Sequence, residues 1–328
     1  MLKRLDRSAL EKLLAALATE FRLLTPQRLA DGTRLLRPHG EGALALQGEP
    51  VQRKPTEAFF PQHDPLMWIG AQGEVTACDP PVNPLALFGL NAADLACIAF
   101  TDRFFAAPPA DDHYQARRQG ALLIGLTGHA GPGGEFLPLA EGLCDLELLA
   151  LRQDWLGVPW TARGEDLLAG LPDGDWAELE NLQETGRARG NPLQELLESA
   201  AGLVASESVP DDFWREIGDR CILCSGCNLV CPTCTCFCVE DRQEQGATLR
   251  SRVWDSCQFD AFMREASGHN PLGSEALRTR RRIHHKLAAD VTRWGEFGCL
   301  LCGRCDRVCP TGIGIQAVAA KILARFGS

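Results

Sequence analysis

No apolar run in these 328 residues reaches the roughly 18–20 positions that a membrane-spanning helix needs. The opening residues, Met-Leu-Lys-Arg-Leu-Asp, keep their charges and lack the unbroken apolar stretch of a secretory signal. A basic surplus is missing as well. The net charge is −10, and the acidity is concentrated at one end: residues 207–328 hold 16 Lys+Arg and 15 Asp+Glu, whereas the preceding residues hold 17 and 28. An acidic N-terminal half excludes the basic face that a nucleic-acid binder needs. Neither a Walker motif nor a G-x-G-x-x-G dinucleotide fingerprint is present, and the Ser, His and Asp residues show no catalytic arrangement. The glycine-rich segment GLTGHAGPGG (125–134) places Pro132 where a phosphate-binding helix would have to open, so it reads as a loop. These absences set the expectation of a cytoplasmic protein without a membrane span, a nucleic-acid partner or a catalytic residue of its own.

Cysteine is what the chain has in excess. Of its fifteen, twelve fall between Cys221 and Cys309. In a long chain without an export signal, such crowding points to metal rather than to disulfides. Two runs obey the same rule, C-x2-C-x2-C-x3-C-P: CILCSGCNLVCP supplies Cys221, Cys224, Cys227 and Cys231, and CLLCGRCDRVCP supplies Cys299, Cys302, Cys305 and Cys309. Cysteines at intervals of three wrap one corner of a cubane, each thiolate reaching a different iron. The small residues Ser225, Gly226 and Gly303 let the backbone approach. In two-cluster ferredoxins the fourth cysteine of each run ligates the other cluster. The expectation is therefore two [4Fe–4S] clusters, one on Cys221, Cys224, Cys227 and Cys309, the other on Cys299, Cys302, Cys305 and Cys231. Structural zinc uses paired C-x2-C hooks set well apart, and fits these spacings poorly.

The remaining cysteines have two readings. Cys234, Cys236 and Cys238, in CPTCTCFC, and Cys257, in WDSC, either hold a third metal or pack as small apolar thiols around the first cluster. The second reading is favoured, because C-x-C-x-C fits no standard cluster. Cys78, Cys97 and Cys144 are scattered and read as core. The run RTRRRIHHK (278–286) is either a solvated helix face, a docking patch for an acidic redox partner, or positive charge near a cluster.

Periodicity suggests an α/β N-terminal domain (1–205) followed by an all-helical two-cluster domain (206–328). Leu10, Leu13, Leu14, Leu17 and Phe21 follow a helical stripe that Pro26 is expected to stop. LALFGL (85–90), ALLIGLTG (121–128) and LELLALR (146–152) read as buried strands, with Asn91 capping a helix carrying Leu95, Ile98 and Phe105. Asn191-Pro192 opens a helix with Leu193, Leu196, Leu197, Ala200, Leu203 and Val204 on its apolar face. The 67 residues between Cys231 and Cys299 read as largely helical. Ile315, Val318, Ala319, Ile322, Leu323 and Phe326 form a last apolar stripe.

In order along the chain, CILCSGCNLVCPTCTCF, RSRVWDSCQFDAFMREASGH, RTRRRIHHK and CLLCGRCDRVCPTGI resemble the iron–sulfur subunit of anaerobic sulfite reductases and, equally, the beta subunit of cytoplasmic NiFe hydrogenases (sulfhydrogenases). RKPTEAFFP (53–61) and DDHYQARR (111–118) extend the likeness. The resemblance implies an electron-transfer subunit that relays electrons between a flavin/NAD(P)H-oxidoreductase subunit and a catalytic metalloenzyme subunit. The alternative is a self-contained iron–sulfur reductase binding a substrate or flavin in its N-terminal domain. One departure stands out: where the family carries G-x-R-P-C-D, this chain has Gly89-Leu90-Asn91-Ala92-Ala93-Asp94. Cysteines that the family carries near the glycine loop are replaced by Gly133-Gly134-Glu135-Phe136. The N-terminal domain therefore reads as a docking scaffold.

Overall fold

The computed structural model describes residues 1–46, 50–80, 84–129, 136–244 and 246–327. In chain order its strands are β1 (Lys3–Leu5), β2 (Arg22–Arg28), β3 (Arg34–Pro38), β4 (His63–Ile69), β5 (Val75–Ala77), β6 (Leu85–Leu90), β7 (Leu122–Gly128), β8 (Leu146–Ala150), β9 (Trp155–Pro159), β10 (Phe237–Glu244) and β11 (Ala247–Trp254). Packing divides the chain into two units, residues 1–59 with 80–190 and residues 60–79 with 191–328. The expected division at 205/206 differs from this by two pieces: the helix Pro192–Ala205 and the β4–β5 hairpin both belong to the second unit.

The first unit is built on a seven-stranded sheet ordered β1-β9-β8-β7-β6-β2-β3. Its centre is parallel (β2, β6, β7, β8), and β9, β1 and β3 are antiparallel additions. Both faces of the central strands are covered, which is why they read as unbroken apolar runs rather than alternating ones. On one face Leu10, Leu13, Leu14 and Leu17 of the helix Arg7–Glu20 meet Ala86, Phe88, Leu122, Ile124, Leu146 and Leu148. The neighbouring positions Leu85, Leu87 and Leu123 are equally buried. Asn91 caps the helix Ala92–Ala106 as expected, its Oδ1 accepting from the Asp94 N–H at 2.8 Å. Residues standing in the place of the family's arginine and cysteine thus start a helix.

Two details differ from the sequence reading. Pro26 does not end the first helix, which stops at Glu20; it lies inside β2. The strand tolerates it because β2 pairs with β6 only as far as Leu24. Gly89, at φ +79°, makes room where a Cβ would come within 2.8 Å of the Pro26 ring. Leu193 is exposed, and the buried face of its helix is Leu197, Ala200, Ala201 and Val204. The two outlying family-like segments come together: Tyr114 packs edge-on against Phe59, donates to Asp102 at 2.7 Å, and Arg118 lies over the Phe59 ring.

The second unit is not all-helical. Besides the helices Pro192–Ala205, Asp211–Asp219, Glu275–His284 and Ile315–Phe326, it holds an antiparallel sheet ordered β10-β11-β4-β5. Of the segment read as largely helical between the cysteine runs, Glu275–Trp294 is helical, but Phe237–Trp254 forms the β10–β11 hairpin, in register from Phe237↔Trp254 to Glu244↔Ala247. Its partner β4 comes from far upstream, a pairing that local periodicity cannot reveal. The two are tied by a buried ion pair, Arg252 to Asp64 at 2.7 Å, with the guanidinium over Phe60. The Glu275–His284 helix continues through a π-helical turn, His285–Ala289, into Asp290–Trp294. Among the described residues no helix is long and apolar enough to cross a membrane.

Removing one partner of such a pair strands the other charge. Asp64→Ala is expected to lower unfolding stability by about 3–5 kcal/mol in urea titration, whereas Asp64→Leu combined with Arg252→Met recovers most of that loss.

Candidate metal centre

Each cysteine run begins as a loop that folds back on itself. Leu223 and Ser225 in the first run have φ of 58° and 56°; Leu301 and Gly303, at the equivalent places in the second, have 60° and 69°. Left-handed backbone costs a non-glycine residue about 1–2 kcal/mol, and three of these four positions are not glycine. Alternating right- and left-handed residues turn successive N–H groups toward one concave side, the arrangement that receives anionic sulfur. Strain repeated at matching positions of two separate segments marks a shared task.

Each loop leads into a short helix, Gly226–Leu229 or Arg304–Val308, and these two pack on one another. That packing brings cysteines of the two runs together. One pocket is lined by Cys221, Cys224, Cys227 and Cys309, that is, by three cysteines of the first run and the last of the second. Cys231, the last of the first run, lies within electrostatic reach of Cys299 and Cys305 of the second run and of Cys227 of its own. The Cys-Pro-Thr turns repeat too. The hydroxyls of Thr233 and Thr311 each lie 3.4 Å from the sulfur of the cysteine two residues before. The carbonyls of these two threonines accept from cations, Thr233 from Lys286 at 2.8 Å and Thr311 from Arg220 at 2.5 Å.

The third cysteine of each run is followed by a polar anchor. Asp306 accepts from the Ala317 N–H and fixes the start of the Ile315–Phe326 helix. Asn228, fully buried, is a hub: Nδ2 donates to Ser256 Oγ at 2.9 Å and to Cys257 Sγ at 3.1 Å, and Oδ1 accepts from Arg282 Nε at 3.2 Å. Packing against Ile217, Ile283, Ile313 and Val318 keeps the site apolar.

The basic run is not a solvated face, and its inner stripe is not free to dock a partner. Arg278, Arg282 and Lys286 recur every four residues and are 2%, 6% and 3% exposed. Arg282 and Lys286 face the cysteines, whereas Arg278 donates to the Leu272 carbonyl and pairs with Asp260 and Glu275. Arg280 pairs with Asp211 at 3.1 Å. Burial alone would disfavour the Arg282 charge, but Cys227, Cys305, Cys234 and Cys231 around it raise its pKa above the usual value. Lys286 is held up similarly against burial, by Cys234, Cys231, Asp290 and Cys299. Burial pushes the Cys227 thiol up, and that of Cys305 to about 12. Thiols this far from ionised need a metal or a cation before they carry charge.

The donor set fits iron–sulfur clusters. Two buried side-chain donors that line the Cys221 pocket, Arg282 Nη2 and Ser225 Oγ, have no hydrogen-bond partner among the described residues. A buried donor left so is costly, and cluster sulfides are acceptors. The additional cysteines pair among themselves or with a ligand candidate. The Cys234 thiol donates to Cys231, and the Cys236 thiol donates to Cys257. Cys238 is exposed on β10. Among the described residues no group of three or more His, Cys, Asp or Glu side chains converges on a single ion. Cys97 and Cys144 are buried in the first unit, and Cys78 is half-exposed in the second. Of the glycine-rich segment, residues 130–134 lie outside the described residues.

The comparisons with known proteins agree with this geometry. Residues 220–313 match the model of the 4Fe-4S dicluster domain. This segment is an iron–sulfur domain of the 4Fe–4S type. The chain is 28% identical over 276 residues to the sulfhydrogenase 2 subunit beta of Pyrococcus furiosus, covering 79% of this chain and 80% of that protein. The relative belongs to one of the two families that the cysteine-rich segments resemble. No solved structure matches the chain.

Asn228 and the threonine pair escaped the sequence reading; Arg282 and Lys286 fell within a run for which positive charge near a cluster was one of three readings. Their signals were the four-residue spacing inside RTRRRIHHK and the Cys-Pro-Thr that follows both runs. Arg282→Gln, at unchanged iron content, is expected to lower the midpoint potential of the cluster beside Cys227 by about 60 mV, a tenfold change in a one-electron equilibrium. Arg282→Lys should shift it less. Redox titration followed by electron paramagnetic resonance measures both.

Proposed function

We propose that the chain is the electron-transfer iron–sulfur subunit of a multi-subunit, hydrogenase-type oxidoreductase, holding two [4Fe–4S] clusters. One is bound by Cys221, Cys224, Cys227 and Cys309, the other by Cys299, Cys302, Cys305 and Cys231. The observation that carries this reading is the pocket shared by three cysteines of one run and the last of the other. Dicluster similarity over 220–313 and the beta-subunit relative support it.

A bound [4Fe–4S] cluster stores one electron at a potential set by its charge, hydrogen bonds and exposure. The protein's residues set those terms. Arg282 and Lys286 bring positive charge into the interior, which favours the reduced state. Isoleucine and valine side chains exclude water, and the left-handed turns present N–H groups. Cys224 and Ile222 are exposed, so the first site reaches the surface. Cys305 is buried and Cys299 half-buried. This gives a two-step relay with one end open to a partner. No substrate chemistry is evident at either end. The reaction therefore belongs to partners, a flavin/NAD(P)H-oxidoreductase subunit on one side and a catalytic metalloenzyme subunit on the other.

Anaerobic reconstitution is expected to give about eight irons and eight labile sulfides per chain; about four would end the two-cluster reading. Crossed ligation makes a sharper claim. Cys309→Ser and Cys224→Ser should alter the spectrum of the same cluster, and a Cys309→Ser variant that disturbs only the cluster of Cys299, Cys302 and Cys305 refutes it. The isolated chain should carry no flavin and show no NAD(P)H-dependent reduction.

A further inference from the structure

Five cysteines in the second unit are outside the ligand sets, and two of them, Cys236 and Cys257, are neighbours. Cys236 immediately precedes β10, and Cys257 lies three residues beyond β11. The hairpin brings their segments side by side, and the Asp255 N–H donates to the Cys236 carbonyl at 3.0 Å. The Cys236 thiol donates to the Cys257 sulfur. That sulfur also accepts from Asn228 Nδ2 at 3.1 Å and lies 3.8 Å from Gln258 Nε2. Three donors around one sulfur stabilise a thiolate, the nucleophilic form of cysteine. Both residues are only partly covered. Asn228 connects the pair to the ligand candidates, because its other amide atom faces Cys227 at 3.8 Å.

Zinc or a third cluster would need more ligands than this pair offers. Cys234 is engaged with Cys231, and Cys238 is exposed. Ordinary core packing would not gather three hydrogen-bond donors on one thiol. What remains is the chemistry that two neighbouring sulfurs perform with one another.

We propose that Cys236 and Cys257 form a reversible dithiol–disulfide couple, a two-electron centre beside the two one-electron clusters. Its oxidant is a low-molecular-weight disulfide. The Cys257 thiolate attacks one sulfur of that disulfide, whose S–S bond breaks and releases a thiolate. Cys236, giving its proton to the released thiolate, then displaces the second half and closes the Cys236–Cys257 bond. In the reverse direction, two electrons and two protons split that bond and restore both thiols. The electrons arrive one at a time through the clusters, so this direction rests on the cluster reading above; formation of the bond does not.

The test uses the full-length, cluster-loaded chain under anaerobic conditions, with oxidised glutathione as the probe. Peptide mapping by mass spectrometry should find Cys236 joined to Cys257. Reductive titration of the oxidised chain should then consume about four electrons, against about two for Cys257→Ser with equal iron content. Failure to form the Cys236–Cys257 linkage overturns the proposal, as does linkage that appears only after iron is lost. About twelve irons per chain, falling to about eight in Cys236→Ser and Cys257→Ser, would overturn it in favour of a third metal site. A chain that forms the linkage but never binds iron would defeat the cluster reading and leave the couple standing.

Discussion

Sulfur ligands gathered in an apolar interior have to be matched by positive charge and N–H groups, and the second unit is arranged around that requirement. Burying an ionised thiolate is costly, as for any charge without compensation. Arg282 and Lys286 carry the compensating charge inside, on a helix that would otherwise expose such residues. Neither is a good core residue alone. Each is retained because the cysteines hold its charge, and the cysteines in turn can ionise because of it. The same mutual dependence explains the left-handed turns at Leu223, Ser225, Leu301 and Gly303. Their strain is tolerable only where N–H groups converging on sulfur offset it. Packing of the helices Pro192–Ala205, Asp211–Asp219 and Ile315–Phe326 behind the runs holds those turns in place.

The metal-ligand candidates were legible because their chemistry is local: a spacing of three in a loop determines which sulfurs share a corner. The crossing was legible only as an expectation, since it depends on two short helices meeting across the fold. Strands β6, β7 and β8 were legible as apolar runs bounded by turn residues, and the Asn91 cap by its position. The C-terminal sheet was not. Its strands alternate weakly, and β4 joins from 188 residues away, as measured by the Asp64–Arg252 pair. The basic run misled for a related reason. Charge in sequence suggests solvent, and only the four-residue recurrence of Arg278, Arg282 and Lys286 hints that one side turns inward.

The first unit takes its order from apolar layering rather than from any metal-binding residue. Glu147 illustrates this. It is a fully buried carboxylate, yet it accepts from Thr127, from the Ala140 and Glu141 N–H groups, and from the Trp160 indole, the Thr127 contact at 2.7 Å. A carboxylate so fully engaged stabilises a loop and has no lone pair directed at a ligand. Tyr114 is likewise occupied by Asp102 and Thr101. After β6 the chain has a helix cap, Asn91. These polar side chains of its interior are engaged in structure.

Electron relay needs one end of the path exposed and its middle protected, and the two runs differ in that sense despite matching backbone. In the first, Cys224 is exposed and Ile222 is 61% exposed; in the second, Cys302 is half-buried and Arg304 fully buried. An exposed cluster edge shortens the distance to an external donor or acceptor, while a buried one keeps its potential insulated from solvent. Arg282 lies near cysteines of both runs, its charge held by Cys227, Cys231 and Cys234 on one side of the sequence and by Cys305 on the other. A cation common to both sites stabilises an electron on either. It therefore keeps the two reduced states closer in energy than separate environments would, the condition under which an electron passes back and forth without a large uphill step.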